Sequence, residues 1–174
     1  MSRTRLVALD DVPALTELVR ANRDFLDPWE PDRSEDHFTA AGQRAAIANA
    51  LERYREGSGL PHVILGDSGQ IAGRITLTGI VRGPLQSGDL GYWLSEAENG
   101  RGLVTAAVRE ILGIAFGQLG LHRVQAGTML ANERSQRVLE RAGFVRYGVA
   151  PRYLKIAGRW EDHILFQILN PDQP

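Results

Sequence analysis

The sequence predicts a mixed α/β domain in which a hairpin-rich sheet carries two strand–helix–strand connections. Three observations lead to it. Residues 62–65 and 71–80 are apolar and β-branched runs either side of Asp67-Ser68-Gly69-Gln70, the pattern of a β-hairpin. Residues 89–94 form another strand-like run, which passes through Asn99-Gly100-Arg101-Gly102 into a helical repeat of Val104, Val108, Ile111, Leu112, Ala115 and Leu119. Residues 123–128 read as a further strand. Asn132 then opens a helix whose apolar face holds Val138, Leu139 and Ala142.

The other elements follow in order. Residues 5–9 read as a short strand, and Asp10-Asp11 offers a helix cap after it. Val12, Leu15, Leu18 and Val19 recur at helical spacing, so a first helix follows. Asp27-Pro28-Trp29-Glu30-Pro31 is expected to break that helix, since proline lacks an N–H and restricts the residue before it. Residues 35–56 form a second helical region, ended by Gly57-Ser58-Gly59. Gly83-Pro84 is a loop, and Gly120 stops the long helix. Gly143 is placed as a left-handed cap, with Phe144 packing back. Residues 147–156 and 161–169 complete the sheet around Ala157-Gly158-Arg159. No repeat, linker or low-complexity segment interrupts the chain, which reads as a single domain over residues 1–174.

Composition narrows the function. The 20 basic and 21 acidic residues leave a formal net charge of −1, which argues against a general nucleic-acid or membrane-surface binder. The absence of cysteine excludes disulfides, thiolate metal sites and a cysteine nucleophile, and it fits a cytoplasmic location. Met1-Ser2-Arg3-Thr4-Arg5 is not followed by the apolar stretch of a secretory signal. No apolar run approaches the ~20 residues that span a bilayer. His37, His62, His122 and His163 have no metal-ligand spacing, so no metal is expected and all four read as structural or surface residues.

The most informative segment is Asn99-Gly100-Arg101-Gly102-Leu103-Val104, which joins a strand to a helix N-terminus. Such a turn presents free backbone N–H groups, glycine lets an anion come close, and the helix dipole favours negative charge. It is a candidate pyrophosphate cradle, with Arg101 adding a charge; the alternative is a tight turn that needs glycine and holds no ligand. A dinucleotide fingerprint would need glycine where Thr105 stands, and a Walker loop would need Gly-Lys-Ser/Thr.

The loop resembles the acyl-CoA signature of the GNAT superfamily of N-acetyltransferases, Gln/Arg-x-x-Gly-x-Gly/Ala, here Asn99-x-x-Gly102-x-Val104. Asn99 and Val104 stand where the signature has Gln or Arg and Gly or Ala. Leu90-Gly91-Tyr92-Trp93-Leu94 before the loop resembles the RimJ/RimL branch, and so does Asn132-x-x-Ser135-x-x-Val138-Leu139-x-x-x-Gly143-Phe144 after it. That branch acetylates the N-terminal amine of ribosomal proteins. Residues 22–31, Val81-Arg82-Gly83 and Gly158-Arg159-Trp160-Glu161-Asp162-His163 are similar to other stretches of the branch, so the resemblance covers most of the chain in order.

The resemblance implies the GNAT fold: a central, mostly antiparallel sheet with a splayed parallel strand pair and flanking helices. It implies acetyl-CoA as co-substrate. The pantetheine arm is expected in the V, against the strand at residues 90–95 with Trp93 and Leu94. The phosphates are expected on Asn99, Gly100, Arg101, Gly102, Leu103, Val104 and Thr105.

Attack of an amine on a thioester needs a neutral amine, a stabilised oxyanion and a proton for the leaving thiol. An α-amine has a pKa of about 7.7–8.0 against about 10.4 for lysine, so an N-terminal acceptor needs only a weak base or a water relay. Ser135 is the candidate acid for the thiol, in the role the resemblance implies for it; a helix first-turn serine also often bonds backbone. Asn132 is expected to bond the pantetheine amide, to cap its helix, or both. Arg137 is expected near the adenosine phosphates, and Arg134 on a solvated face. Asp89 is the first candidate for general base and Glu30 the second. Tyr92 and Trp93 alternate on their strand, so only one faces the cleft. Tyr92 is expected to line the acceptor channel, with Trp29 and Tyr153 as further walls; core packing is the alternative for each aromatic.

The expected function is transfer of acetyl from acetyl-CoA to the N-terminal amine of a protein, possible ribosomal proteins included, within a ternary complex and with no covalent enzyme intermediate. The alternatives are a small-molecule amine acceptor, such as an antibiotic, polyamine or amino acid, and a non-catalytic acyl-CoA sensor. The protein is expected to act in the cytoplasm as a monomer or homodimer, with no nucleic-acid or membrane partner.

Overall fold

Hydrogen bonding joins seven strands into one sheet in the computed structural model, which describes residues 2–173. They are β1 (Thr4–Leu6), β2 (Leu60–Leu65), β3 (Ile71–Val81), β4 (Ser87–Leu94), β5 (Arg123–Met129), β6 (Val145–Ile156) and β7 (Arg159–Leu169), in the order β1-β2-β3-β4-β5-β7-β6. Neighbours are antiparallel except β4 and β5, which run parallel. The helices are α1 (Val12–Ala21), α2 (Arg23–Leu26), α3 (Ala40–Arg55), α4 (Leu103–Gly113) and α5 (Glu133–Arg141). The mixed sheet with one parallel pair and flanking helices is the expected fold class.

Two connections set up the site. α4 carries the chain from β4 to its parallel neighbour β5. α5 carries it from β5 to β6, and β7 then fills the gap between those two strands. Alternation along each strand divides the buried side chains between two faces. Leu90 and Leu94 of β4, Val124 and Ala126 of β5 and Phe166 of β7 join Leu103, Val108, Ile111 and Leu139 in the larger core, under α4 and α5. Val63 of β2 packs with Val7, Leu15 and Ile47 in a second core under α1 and α3, and Trp93 packs against it.

Local structure departs from the periodicity in four places. The first strand stops at Leu6, because the Asp11 carboxylate accepts the Ala8 N–H at 2.8 Å and closes a 3-10 turn over Leu9–Asp11. Asp11 is therefore spent on that turn and on Arg5, and it does not cap α1 with its side chain. The first helix breaks at Asn22, before the prolines are reached, and Pro28 sits in a 3-10 turn over Asp27–Trp29. The region 35–56 is two elements. A 3-10 turn over Glu35–Phe38 ends at Thr39, whose hydroxyl accepts the Gly42 N–H at 3.0 Å and caps α3. The long helix after the glycine loop loosens to a π-helical turn over Ile114–Gln118 before Gly120, at φ +61°, ends it. Among the described residues no helix is long and apolar enough to cross a membrane, and no group of three or more His, Asp or Glu side chains gathers to hold a metal.

Candidate active site

The parallel pairing of β4 with β5 lasts only from Ser87 to Asp89, opposite Arg123 to Gln125. Beyond it the strands part, leaving a slot through the sheet and an unpaired edge on β4. A cavity of about 600 Å³ fills this slot. Val104 of α4 and Ser135 and Val138 of α5 line it from one face of the sheet; Phe25, Leu26 and Trp29 line it from the other.

The glycine loop lies at the first of these mouths. Gly100 and Gly102 both adopt left-handed backbone, at φ +79° and +74°, which any other residue would hold at a cost. Gly102 is the N-cap of α4, and its carbonyl accepts the Ala106 N–H. Among the described residues the N–H groups of residues 100–105 reach no backbone carbonyl, so they are open to an anion at a helix N-terminus. The residues present thus fit a pyrophosphate. Leu103 differs from its neighbours, since its side chain is buried in the larger core and only its backbone serves the loop. Arg101 is held away from the loop's interior by Glu98, at 2.7 Å, and by Asp67. The arginine expected on a phosphate is therefore tied into surface ion pairs.

α5 brings the remaining loop-side groups. Asn132 Oδ1 accepts the Ser135 N–H at 3.1 Å and caps the helix, while among the described residues its Nδ2 donates to no protein group. The cap and a free amide donor coexist on one side chain. The Ser135 hydroxyl lies 2.8 Å from the Tyr92 hydroxyl. Burial pushes the Tyr92 phenol up to about 12, with the Ser135 bond opposing, so it stays protonated at neutral pH. Arg134 and Arg137 both line the cavity, and Arg137 is also paired with Glu133 at 3.1 Å.

Strand alternation puts Tyr92 and Trp93 on opposite faces. Tyr92 points to the side of α5, packs against the larger core and lines the cavity beside Ser135. Trp93 points to the side of α1 and α3, so only its backbone belongs with the loop-side groups. Leu94 returns to the loop side and lines the cavity.

On the far side, Asn22 holds the cover in place. Its Oδ1 accepts the Glu96 N–H at 2.8 Å and the Ser95 hydroxyl at 3.2 Å, while its Nδ2 donates to the Leu18 carbonyl. This ties the break between α1 and α2 to the end of β4 and sets Phe25, Leu26, Trp29 and Glu30 over the slot. Ala157 at the β6–β7 turn donates to the Glu30 carbonyl at 3.2 Å and closes the rim. The Glu30 carboxylate pairs with Arg33 at 3.1 Å.

The two expected bases sit differently. Glu30 lines the cavity. Asp89 lies at the base of the slot, at the last parallel pair, and takes no part in the lining; Gln125 Nε2 reaches it at 3.5 Å. Burial raises the Asp89 carboxyl, with the Gln125 bond opposing. Tyr153 is likewise outside the lining and packs 5.5 Å from the His163 ring.

His163 is the group that residue spacing missed. It is 3% exposed and lines the cavity. Its Nδ1 lies 3.0 Å from the Glu161 carbonyl, which can only accept, so Nδ1 carries a hydrogen and Nε2 is the ring nitrogen left for another partner. Among the described residues Nε2 has no protein partner. An isolated histidine on a strand gives no sequence signal, because its role depends on β7 lying next to β5.

Comparison with known proteins agrees with this geometry. The family described as Acetyltransferase (GNAT) domain matches residues 3–145. The chain is 41% identical over 152 residues to the probable N-acetyltransferase YjcK of Bacillus subtilis, covering 87% of this chain and 84% of that one. It is 34% identical over 169 residues to the [ribosomal protein uS5]-alanine N-acetyltransferase of Escherichia coli, covering 97% and 87%. Mycobacterium smegmatis RimJ in complex with CoA-disulfide superposes with a TM-score of 0.92 at 31% identity, covering 98% and 83%. A slot between splayed parallel strands, a free helix N-terminus and this likeness lead to one conclusion: the chain belongs to the GNAT acetyltransferase family, on the side of its RimJ-type members, and is an N-acetyltransferase.

Proposed function

We propose that this protein, as one domain over residues 1–174, transfers acetyl from acetyl-CoA to the N-terminal α-amine of a protein, a ribosomal protein being the first candidate. The observation that carries the reading is the slot open on both faces of the sheet. The loop side offers free N–H groups and a protonated hydroxyl pair; the other side offers an aromatic rim and a histidine acceptor. A thioester entering from one side and an amine from the other meet without a covalent enzyme intermediate. The names of the Escherichia coli and Mycobacterium smegmatis relatives support both the α-amine and CoA.

The chemistry follows from the groups present. The neutral amine attacks the thioester carbon, forming C–N, and the C–S bond breaks. Sulfur takes its proton from the Ser135 hydroxyl, which Tyr92 can replenish across 2.8 Å. The amine proton leaves to His163 Nε2, or to Glu30 through water. Asn132 Nδ2 and the open edge of β4 hold the pantetheine arm, and the N–H groups of residues 100–105 hold the phosphates. The site of action is the cytoplasm.

Thiol release from acetyl-CoA tests this on short peptides beginning with Ala, Ser, Thr or Met, each with an internal lysine and an N-terminally blocked copy. Turnover confined to free N-termini is expected. Turnover of the blocked copies shifts the acceptor to lysine. Silence on every peptide, with acetyl-CoA bound, shifts it to a small amine or leaves a sensor.

A further inference from the structure

A second cavity, of about 610 Å³, lies on the α1/α3 side of the sheet. It adjoins the slot: Glu30, Gly91, Tyr92 and Trp93 line both. α3 contributes Asn49 and Arg53, and β3 contributes Arg74 and Thr76. Gly91 keeps the floor open, since a Cβ added there meets no atom within 4 Å.

Arg74 is the unusual residue in this space. It faces Trp93 across the β3–β4 ladder, so its side chain leaves the sheet on the same side. Its Nε is buried without a hydrogen-bond partner, and among the described residues its guanidinium joins no ion pair. Burial pushes its pKa down and Arg33 adds to this, with Glu30 opposing. Arg33 already holds the Glu30 carboxylate, and Arg53 has no acidic partner among the described residues. The cavity therefore gathers three guanidinium groups against one carboxylate in a chain of net charge −1. Arg74 is half-buried, a buried Nε that donates to nothing is costly, and a planar carboxylate is the ligand the guanidinium fork matches.

We propose that Arg74 anchors a subsite for a carboxylate on the acceptor, with Arg53 and Arg33 at its rim, one step beyond the amine in the slot. This rests on the slot's far side being the acceptor side. The carboxylate comes either from an acidic side chain in the first residues of a peptide or from the acid group of a small amine.

Two substrate series separate the sources. The first pairs Ala-initiated peptides carrying Glu or Gln at the second, third or fourth residue. The second pairs β-alanine and γ-aminobutyrate with their amides. Calorimetric binding in the presence of CoA is read beside kcat/KM. Wild-type protein is expected to favour an acid over its amide by about tenfold, the worth of a charge-assisted hydrogen bond. Arg74→Met brings the ratio to about one, Arg74→Lys restores part of it, and Arg55→Gln, an exposed arginine outside the cavity, keeps it; thermal midpoints verify that each variant folds. Preference in the peptide series assigns the carboxylate to a side chain, and preference only in the second series assigns it to a small acceptor. Acid preference in binding without peptide turnover leaves the subsite standing and removes the Nα-acetyltransferase reading. Equal affinities in both series, or no binding in either, overturn the subsite, as does a ratio unchanged by Arg74→Met.

Discussion

The Tyr92 hydroxyl lies 2.8 Å from Ser135 Oγ and links the middle of β4 to the first turn of α5. The two residues are far apart in sequence, and the β4–α4–β5–α5 path brings them together. With the phenol pushed up to about 12, Tyr92 keeps its proton near neutral pH, so it can donate to Ser135 while Ser135 donates to a developing thiolate.

Removing either hydroxyl should therefore slow the chemical step more than binding. Ser135→Ala and Tyr92→Phe are each expected to lower kcat by about 10- to 100-fold with little change in the acetyl-CoA KM. If the pair acts as a unit, the double variant is scarcely slower than Ser135→Ala alone. Steady-state thiol release on all three variants decides it; fully multiplicative losses would mean independent roles.

The glycine loop makes a contrasting prediction for binding. A Cβ at Gly102 meets open space, so Gly102→Ala acts through its φ of +74° alone, at a cost of about 1 kcal/mol, and should raise the acetyl-CoA KM about fivefold. Arg101→Ala should shift that KM less than about twofold, because Arg101 is already bound to Glu98 and Asp67. A larger effect from Arg101 than from Gly102 would show that the arginine leaves its ion pairs when CoA binds.

His62 gives the fold a pH dependence above the carboxylate range. Burial lowers its pKa to about 4, with Glu110 opposing, and Nδ1 lies 3.1 Å from Thr4 Oγ1. The unfolded chain holds this proton up to a pKa of about 6.5, so between the two values it binds more protons than the native state. Stability is thus complete above pH about 6.5 and falls as pH drops toward 4, by on the order of 3 kcal/mol. The midpoint of urea unfolding should fall between pH 7 and pH 5 in wild type and much less in His62→Asn. A wild-type midpoint that does not move would exclude His62 as the cause.

Glu110 of α4 secures the first strand. Its carboxylate accepts the N–H groups of Arg3 and Thr4, at 2.6 and 2.9 Å, and the hydroxyls of Ser2 and Thr4. Burial acts to raise its pKa, and these donors together outweigh it, so the carboxyl lies below its ordinary value. Glu110→Ala removes the acceptor that four donors share, although Ser2 Oγ keeps the Thr4 carbonyl, and should cost about 2 kcal/mol in chemical denaturation. The site lies elsewhere, so kcat is expected to persist below the new midpoint.

Much of this protein was legible in residue order. Hydrophobic period and turn residues marked the hairpin at residues 67–70, the strand–loop–helix passage into α4 and the left-handed cap at Gly143, because each depends on neighbours within a few positions. The same local rules misplaced the end of β1 and the break after α1. There the decisive partners are side chains, Asp11 reaching back to Ala8 and Asn22 reaching across to Glu96.

What sequence determined by itself was the family, the mixed sheet and the strand–loop–helix passage at residues 99–105, each carried by local patterns along the chain. Tertiary structure alone decided which way the slot faces. It turned Tyr92 toward Ser135 and Trp93 away, tied Arg101 into surface ion pairs, placed His163 on the cavity wall and left Arg74 Nε without a partner among the described residues. The reason is physical. A strand's period says that successive side chains oppose each other, but which face meets which helix is set by crossovers between distant segments, and a buried charge shows its missing partner only once every neighbour is in place.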